Sequence, residues 1–202
     1  MVVSRERLGA AERKAQILRC ATSVFARSSY RVAGMADVAR EAGISEPTIY
    51  KYFPSKKQLF LELLAKVGEL TLRSWQEAAE QELDAAALLR RIGAKQFEAA
   101  LKSPELLKVQ FQAFSEVDDS EIRQLLCDNF SSYVEFLGGI VERGQRAGRI
   151  APSLAPAVLA WNLLAIGFTL NLTSLLGLSG SLSFEMVDAM GGLVLSAAAA
   201  GE

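Results

Sequence analysis

Apolar residues recur along the chain at steps of three and four, and strand-like alternation is absent. Ile17, Ala21, Val24 and Phe25 share one face of a first helix over 10–27, which the run SSYRVAG breaks. A short second helix is expected from Met35 to Ala42, stopped by Gly43, and a third from Glu46 to Phe53, stopped by Pro54. Ser55 can cap a fourth helix from Lys56 to about Gln81, with Gln58 completing a capping box. Further helices are expected over 84–102, from Ser103-Pro104 onward, over 118–146, 155–178 and 184–200. Asp118 is expected to open the helix over 118–146, with Glu121 in capping-box position, and Gly138-Gly139 weaken its interior.

No charged residue lies between Arg149 and Glu185. Asn162, Thr169, Asn171, Thr173 and Ser174 interrupt this apolar run, and no Lys or Arg follows it as a membrane anchor. The expected arrangement is a helix buried on all sides in the core of a homodimer, through Val158, Asn162, Ala165, Thr169 and Leu172. Gly191 and Leu195 of the last helix join that interface, and Gly167, Gly177, Gly191 and Gly192 allow close backbone approach.

Charge separates the chain into a basic head and an acidic body. Residues 1–60 carry 11 Lys and Arg against 5 Asp and Glu, a net of +6. The remainder carries 11 against 18, a net of −7, so the head alone is suited to a polyanion. With no histidine, the commonest general base and metal ligand are missing. Neither a Cys/His metal spacing nor a Gly-rich phosphate loop nor a serine nucleophile elbow is present, so an enzyme, a metal site and a cofactor are not expected. Cys20 and Cys127 read as reduced thiols, and the N-terminal stretch lacks the apolar run of a secretory signal, which together imply a cytoplasmic protein.

The segment DVAREAGISEPTIYKYF, Asp37 to Phe53, holds the ingredients of a helix-turn-helix. Ala39 is small enough for two helices to cross, Gly43 can take the left-handed turn, and Val38, Ile44 and Ile49 form an apolar wedge. Ser45 can cap the second of these helices. With Ile49 and Phe53 inward, Thr48, Lys51 and Tyr52 share the outward face and Tyr50 projects beside them. These side chains can bond phosphate oxygens and base edges from a major groove. Glu46 can favour the helix dipole or accept from a cytosine amino group. Lys56 and Lys57 stand at a helix N-terminus, where the dipole is already positive, so a phosphate is their expected partner.

From Ile17 to Leu64 the chain resembles the N-terminal domain of the TetR family of bacterial transcriptional regulators, through "VA…AGIS", "TIYKYF" and "SKKQLF". The resemblance implies an all-α fold with two parts. A three-helix DNA-binding domain occupies residues 1–55, and a body of about six helices, residues 56–202, binds an effector and dimerises, with the helix over 56–81 joining them. It also implies that Thr48, Tyr50, Tyr52 and Lys56 contact phosphates and that Lys51 reads bases. Three positions depart from the family pattern: Ser29 where glycine is frequent, Ala33-Gly34 where Thr or Ser often caps the second helix, and Glu46 where a basic residue is frequent.

The resemblance therefore implies a homodimeric repressor, released from a palindromic DNA operator by a small-molecule effector. The alternative is control by a protein partner. Candidate pocket residues are Phe97, Phe111, Phe114, Phe130, Tyr133, Trp161 and Phe168, with Gln110, Asn129 and Asn162 as polar handles, which points to an apolar or aromatic ligand.

Overall fold

The computed structural model describes residues 9–197, which are all-α. The helices are α1 (Ala10–Val32), α2 (Met35–Ala42), α3 (Glu46–Tyr50), α4 (Lys56–Gln81), α5 (Ala85–Lys102), α6 (Pro104–Phe114), α7 (Ser120–Arg146), α8 (Pro156–Leu175) and α9 (Phe184–Ala197). The end of the last expected helix, at residue 200, lies outside the described residues.

Local chemistry sets most helix starts. Gly9 and Gly34 offer no capping side chain, so Glu12 and Asp37 reach back, each accepting from the glycine N–H at 2.9 Å. Ser55 caps α4 by accepting from the Gln58 N–H at 3.1 Å, and Asp84 caps α5 by accepting from the Ala87 N–H at 2.9 Å. The start of α7 differs from expectation: Asp119, not Asp118, is the cap, accepting from the N–H groups of Glu121 and Ile122. Gly138-Gly139 do not interrupt α7, which runs on to Arg146.

The first helix also outruns its expected end. It continues to Val32 across a kink at Ser29, whose φ of 63° and ψ of 157° lie where essentially only glycine is comfortable. Surrounding packing holds the serine there: Phe25, Tyr30 and Phe60 form a ring cluster, with Tyr30 stacked on Phe60 at 4.1 Å. Gln112 of α6 donates to the Phe25 carbonyl and accepts from the Tyr30 N–H, clamping both sides of the kink.

The core does not close at the end of the head. Ile17, Phe25, Val38, Ile49 and Phe53 share one buried cluster with Leu59 to Val67 of α4, Val109 and Ala113 of α6, and Ile122 of α7. A second cluster joins Trp75 of α4 to α5, α7 and α8, and a third joins α5, α6, α8 and α9. The first cluster therefore makes α4, α6 and the start of α7 common property of head and body.

Two glycines permit close packing, and neither is among those expected to. A Cβ on Gly144 would lie 2.6 Å from Ile150 Cδ1 and 2.9 Å from Ala85 Cβ. One on Gly68 would lie 2.7 Å from Asn129 Cγ. Gly167, Gly191 and Gly192 have open space instead and line a cavity, while Gly177 ends α8 with φ 72°.

Candidate functional site

The helix-turn-helix forms as its residues dictate. Gly43 takes φ 65° and ψ 34°, the left-handed turn, and the Ile44 N–H bonds the Ala39 carbonyl at 3.1 Å. Val38, Ala39 and Ile49 are buried beneath it. Only Glu46–Tyr50 is α-helical, and a tighter turn at 51–52 brings Phe53 into the core. Ser45 stands at the N-cap, but its hydroxyl bonds Thr48 Oγ1 at 2.8 Å instead of a backbone N–H, so the expected side-chain cap does not form. Ser45, Glu46, Tyr50 and Lys51 are exposed together, with Thr48 and Tyr52 half-buried beside them.

Intramolecular ion pairs consume much of the head's positive charge. Lys14 meets Glu62, Arg27 meets Glu41, Arg31 meets Glu116 and Arg40 meets Asp37. Among the described residues Lys51 has no carboxylate partner, which leaves a cation on the exposed face of α3.

Lys56 and Lys57, expected to meet a phosphate, both have acceptors inside the chain. The Lys56 ammonium donates to the carbonyls of Tyr30, Arg31 and Ala33 at 2.9, 3.3 and 3.1 Å and lies 4.8 Å from the Tyr30 ring centroid. These carbonyls belong to the end of α1, where the dipole is negative, so the lysine is favourably placed after all. Lys57 donates to Asp119 at 3.1 Å and Glu121 at 2.7 Å, tying the start of α4 to the start of α7. The bonds to Glu121 and then Asp119 raise the Lys57 pKa. Lys57 and the Ile122 N–H hold the Asp119 carboxyl below its usual range. The sequence offered no signal for these contacts, which join residues far apart along the chain.

In the body, α4 to α9 line a half-open cavity of about 510 Å³. Of the expected pocket residues, Gln110, Phe111, Phe114, Asn129, Phe130, Tyr133 and Phe168 line it. Phe97 does not; it packs edge-on against Phe184, with ring centroids 5.9 Å apart. Trp161 is also outside, 52% exposed on α8 and stacked over Phe130. Asn162 turns back to bond the Val158 carbonyl of its own helix. The sequence reading missed Thr71, Trp75, Gln96 and Asn171, which line the cavity from α4, α5 and α8. Phe111, Phe114 and Phe168 pack on one another with centroids 5.1 to 5.9 Å apart, so they form an apolar wall, not a cage around an empty centre. Burial pushes the Tyr133 pKa up, and Arg90 at the margin is paired with Asp188.

Residues 17–63 match the model of the bacterial regulatory proteins of the tetR family. The fatty acid metabolism regulator protein of Bacillus subtilis is 27% identical over 140 residues, covering 69% of this chain and 71% of that protein. A transcriptional regulator from Pseudomonas aeruginosa, 21% identical, shares the fold with a TM-score of 0.86 over 98% of this chain and 96% of its own. A regulator from Saccharomonospora viridis solved in complex with choline is 26% identical, with a TM-score of 0.76 over 91% and 96% of the two chains. The N-terminal domain of this chain is that of the TetR family of bacterial transcriptional regulators.

Among the described residues one face of α8 is left without a partner. Val158, Asn162, Ala165, Thr169 and Leu172 repeat at steps of four and three and are all exposed, flanked by Trp161 and Phe168. Asn162 and Thr169 bond carbonyls of their own helix, so the face they present outward is effectively apolar. By length and composition α8, with a mean hydropathy of 1.5, is also able to cross a membrane. Its opposite side packs on α7, where Leu159 and Ala160 are buried. Gly191 and Leu195, the α9 residues expected at the interface, line the cavity, and Met186 and Leu193 are exposed large apolar side chains of that helix.

Proposed function

We propose that this TetR-family regulator works as a homodimer that docks α3 of each head into successive major grooves of a palindromic operator. Ser45, Thr48, Tyr50, Lys51 and Tyr52 supply the contacts, with Lys51 reading base edges and Glu46 beside it. The half-sites are spaced by roughly 34–36 Å or a modest expansion of it. The exposed stripe of α8, continued by Met186 and Leu193 of α9, supports dimerisation through these two helices. The regulator is a repressor that a small apolar or aromatic effector releases from DNA.

One observation carries this reading: the cavity is walled by Leu64 and Val67 of α4, which are also in the core beneath the DNA-binding helices. An occupant that moves α4 must move the head, and a coupling of about 1–3 kcal/mol suffices for a switch. A long apolar occupant agrees with the named role of the Bacillus subtilis relative, and a cavity of this size with an aromatic wall supports a small ligand over a protein partner. The test selects an operator from random duplexes with purified protein, then screens fatty acids, aromatic acids and uncharged aromatics for release of that operator. Release by an apolar compound, lost on filling the cavity by Gly167→Trp, is expected. Operator binding that no compound alters would contradict the effector reading while leaving DNA recognition intact.

A further inference from the structure

A second crevice, of about 170 Å³, lies between α4, α5 and α6 and abuts the main cavity. Val67, Thr71, Trp75, Gln96 and Gln110 line both spaces and so stand between them. Three of them, Thr71, Gln96 and Gln110, are polar, and the two glutamines swing on flexible stems. The Gln96 side chain makes a long 3.3 Å bond to Asn171, and the Gln110 side chain makes no hydrogen bond within the described residues. On the outer side stands Lys95, half-buried, donating to the Ser74 carbonyl at 3.1 Å. No carboxylate among the described residues lies within ion-pair distance of it. The other cation lining these spaces, Arg90, is engaged by both carboxylate oxygens of Asp188.

Polarity therefore rises in one direction: an aromatic and aliphatic chamber, then a neck of uncharged polar side chains, then an ammonium with donors to spare. A wholly apolar effector would use the chamber and leave the neck and the lysine unexplained. From this gradient we propose that the effector is a single-chain amphiphile with an anionic end, its chain in the aromatic chamber and its anion on Lys95. The proposal rests on the effector reading given above and names the ligand class for the same site. The anion replaces solvent on Lys95, forming a charge-assisted hydrogen bond. Gln96 and Gln110, at the neck, donate to the remaining oxygen of the anion.

The test is calorimetric titration of the full chain with three chain-matched probes below their micelle concentrations: laurate, dodecanol and dodecyltrimethylammonium. Laurate is expected to bind about tenfold more tightly than dodecanol, and the cationic probe least tightly. Lys95→Met should bring laurate to the dodecanol affinity while leaving dodecanol unchanged, which shows the chamber intact, and Lys95→Arg should keep the preference. Equal affinity for laurate and dodecanol, or a laurate preference that survives Lys95→Met, overturns the proposal but leaves the apolar cavity as an effector site. Failure of all three probes to bind a protein that still binds DNA overturns the apolar-effector reading itself.

Discussion

The Nζ of Lys57, in the first turn of α4, lies 2.7 Å from Oε1 of Glu121, in the first turn of α7. Asp119 Oδ2 completes the junction at 3.1 Å. One helix carries the head and the other walls the cavity, so this contact ties the head to the cavity wall. Lys57→Ala is expected to leave operator affinity nearly intact but to shrink, by a few-fold, the ratio of affinities without and with effector. Titration of both states by fluorescence anisotropy measures it, and an unchanged ratio would remove the junction from the coupling path.

The same junction has a defined pH window. Asp119 is held below its ordinary pKa, so its contribution is complete above the usual carboxylate range and is lost as pH falls through the depressed value. Lys57 is held above its ordinary value, so its contribution is complete below the usual lysine range and disappears as pH rises through the raised one. Between about pH 5 and 10 the Lys57-dependent part of thermal stability should be flat. A difference between wild type and Lys57→Ala that changes across this interval would contradict the assignment.

Ser29 occupies a conformation that costs a non-glycine residue about 1–3 kcal/mol, and its neighbours hold it there. Ser29→Gly should therefore stabilise the protein by roughly 1 kcal/mol and raise Tm by about 2–4 °C. Ser29→Ala keeps the strain and should not. Urea denaturation of the three proteins provides the comparison, and destabilisation by glycine would contradict the strain assignment.

The two lysines flanking the turn into α4 separate by consequence. Lys51→Ala should relax base preference at one operator position by about 1–3 kcal/mol. Lys56→Ala removes three bonds to carbonyls at the end of α1 and should cost roughly 1–2 kcal/mol of folding stability. It should leave the salt dependence of DNA binding near its wild-type slope, whereas loss of a phosphate contact lowers that slope by about one. A slope lowered by a full unit would return Lys56 to the DNA surface.

Leu172 is the last position of the exposed apolar stripe of α8. Leu172→Arg would place two guanidinium groups in the proposed dimer interface, each costing several kcal/mol when unpaired. Sedimentation should show monomers at concentrations where the wild type is dimeric, with operator affinity lost alongside. A dimeric variant would move the interface elsewhere.

What the sequence made legible was local. The spacing of Ala39, Gly43 and Ile49 is a short-range requirement of two crossing helices, and the structure satisfies it. Cap residues such as Ser55 and Asp84 act within three positions, so most helix starts followed from them. Aromatic residues of α6 and α7 gathered around the cavity because their helices are amphipathic. The partners of Lys56 and Lys57 lie more than 20 residues away, and no local rule points to Tyr30 or Asp119. Trp161 and Phe97 show the limit for the pocket: an aromatic residue on an apolar helix suits a cavity, a core or an exposed interface equally well. Gly68 and Gly144 matter for what packs on them, which composition does not reveal.

The central claim is that two copies of α3, held in register by the paired body, read a symmetric duplex. Selection of bound sequences from random DNA by the purified full-length protein tests it most directly. The account predicts enrichment of an inverted repeat whose half-sites lie about one helical turn apart, or modestly further, bound by one dimer. Enrichment of no sequence, or of a single half-site bound by a monomer, would contradict it.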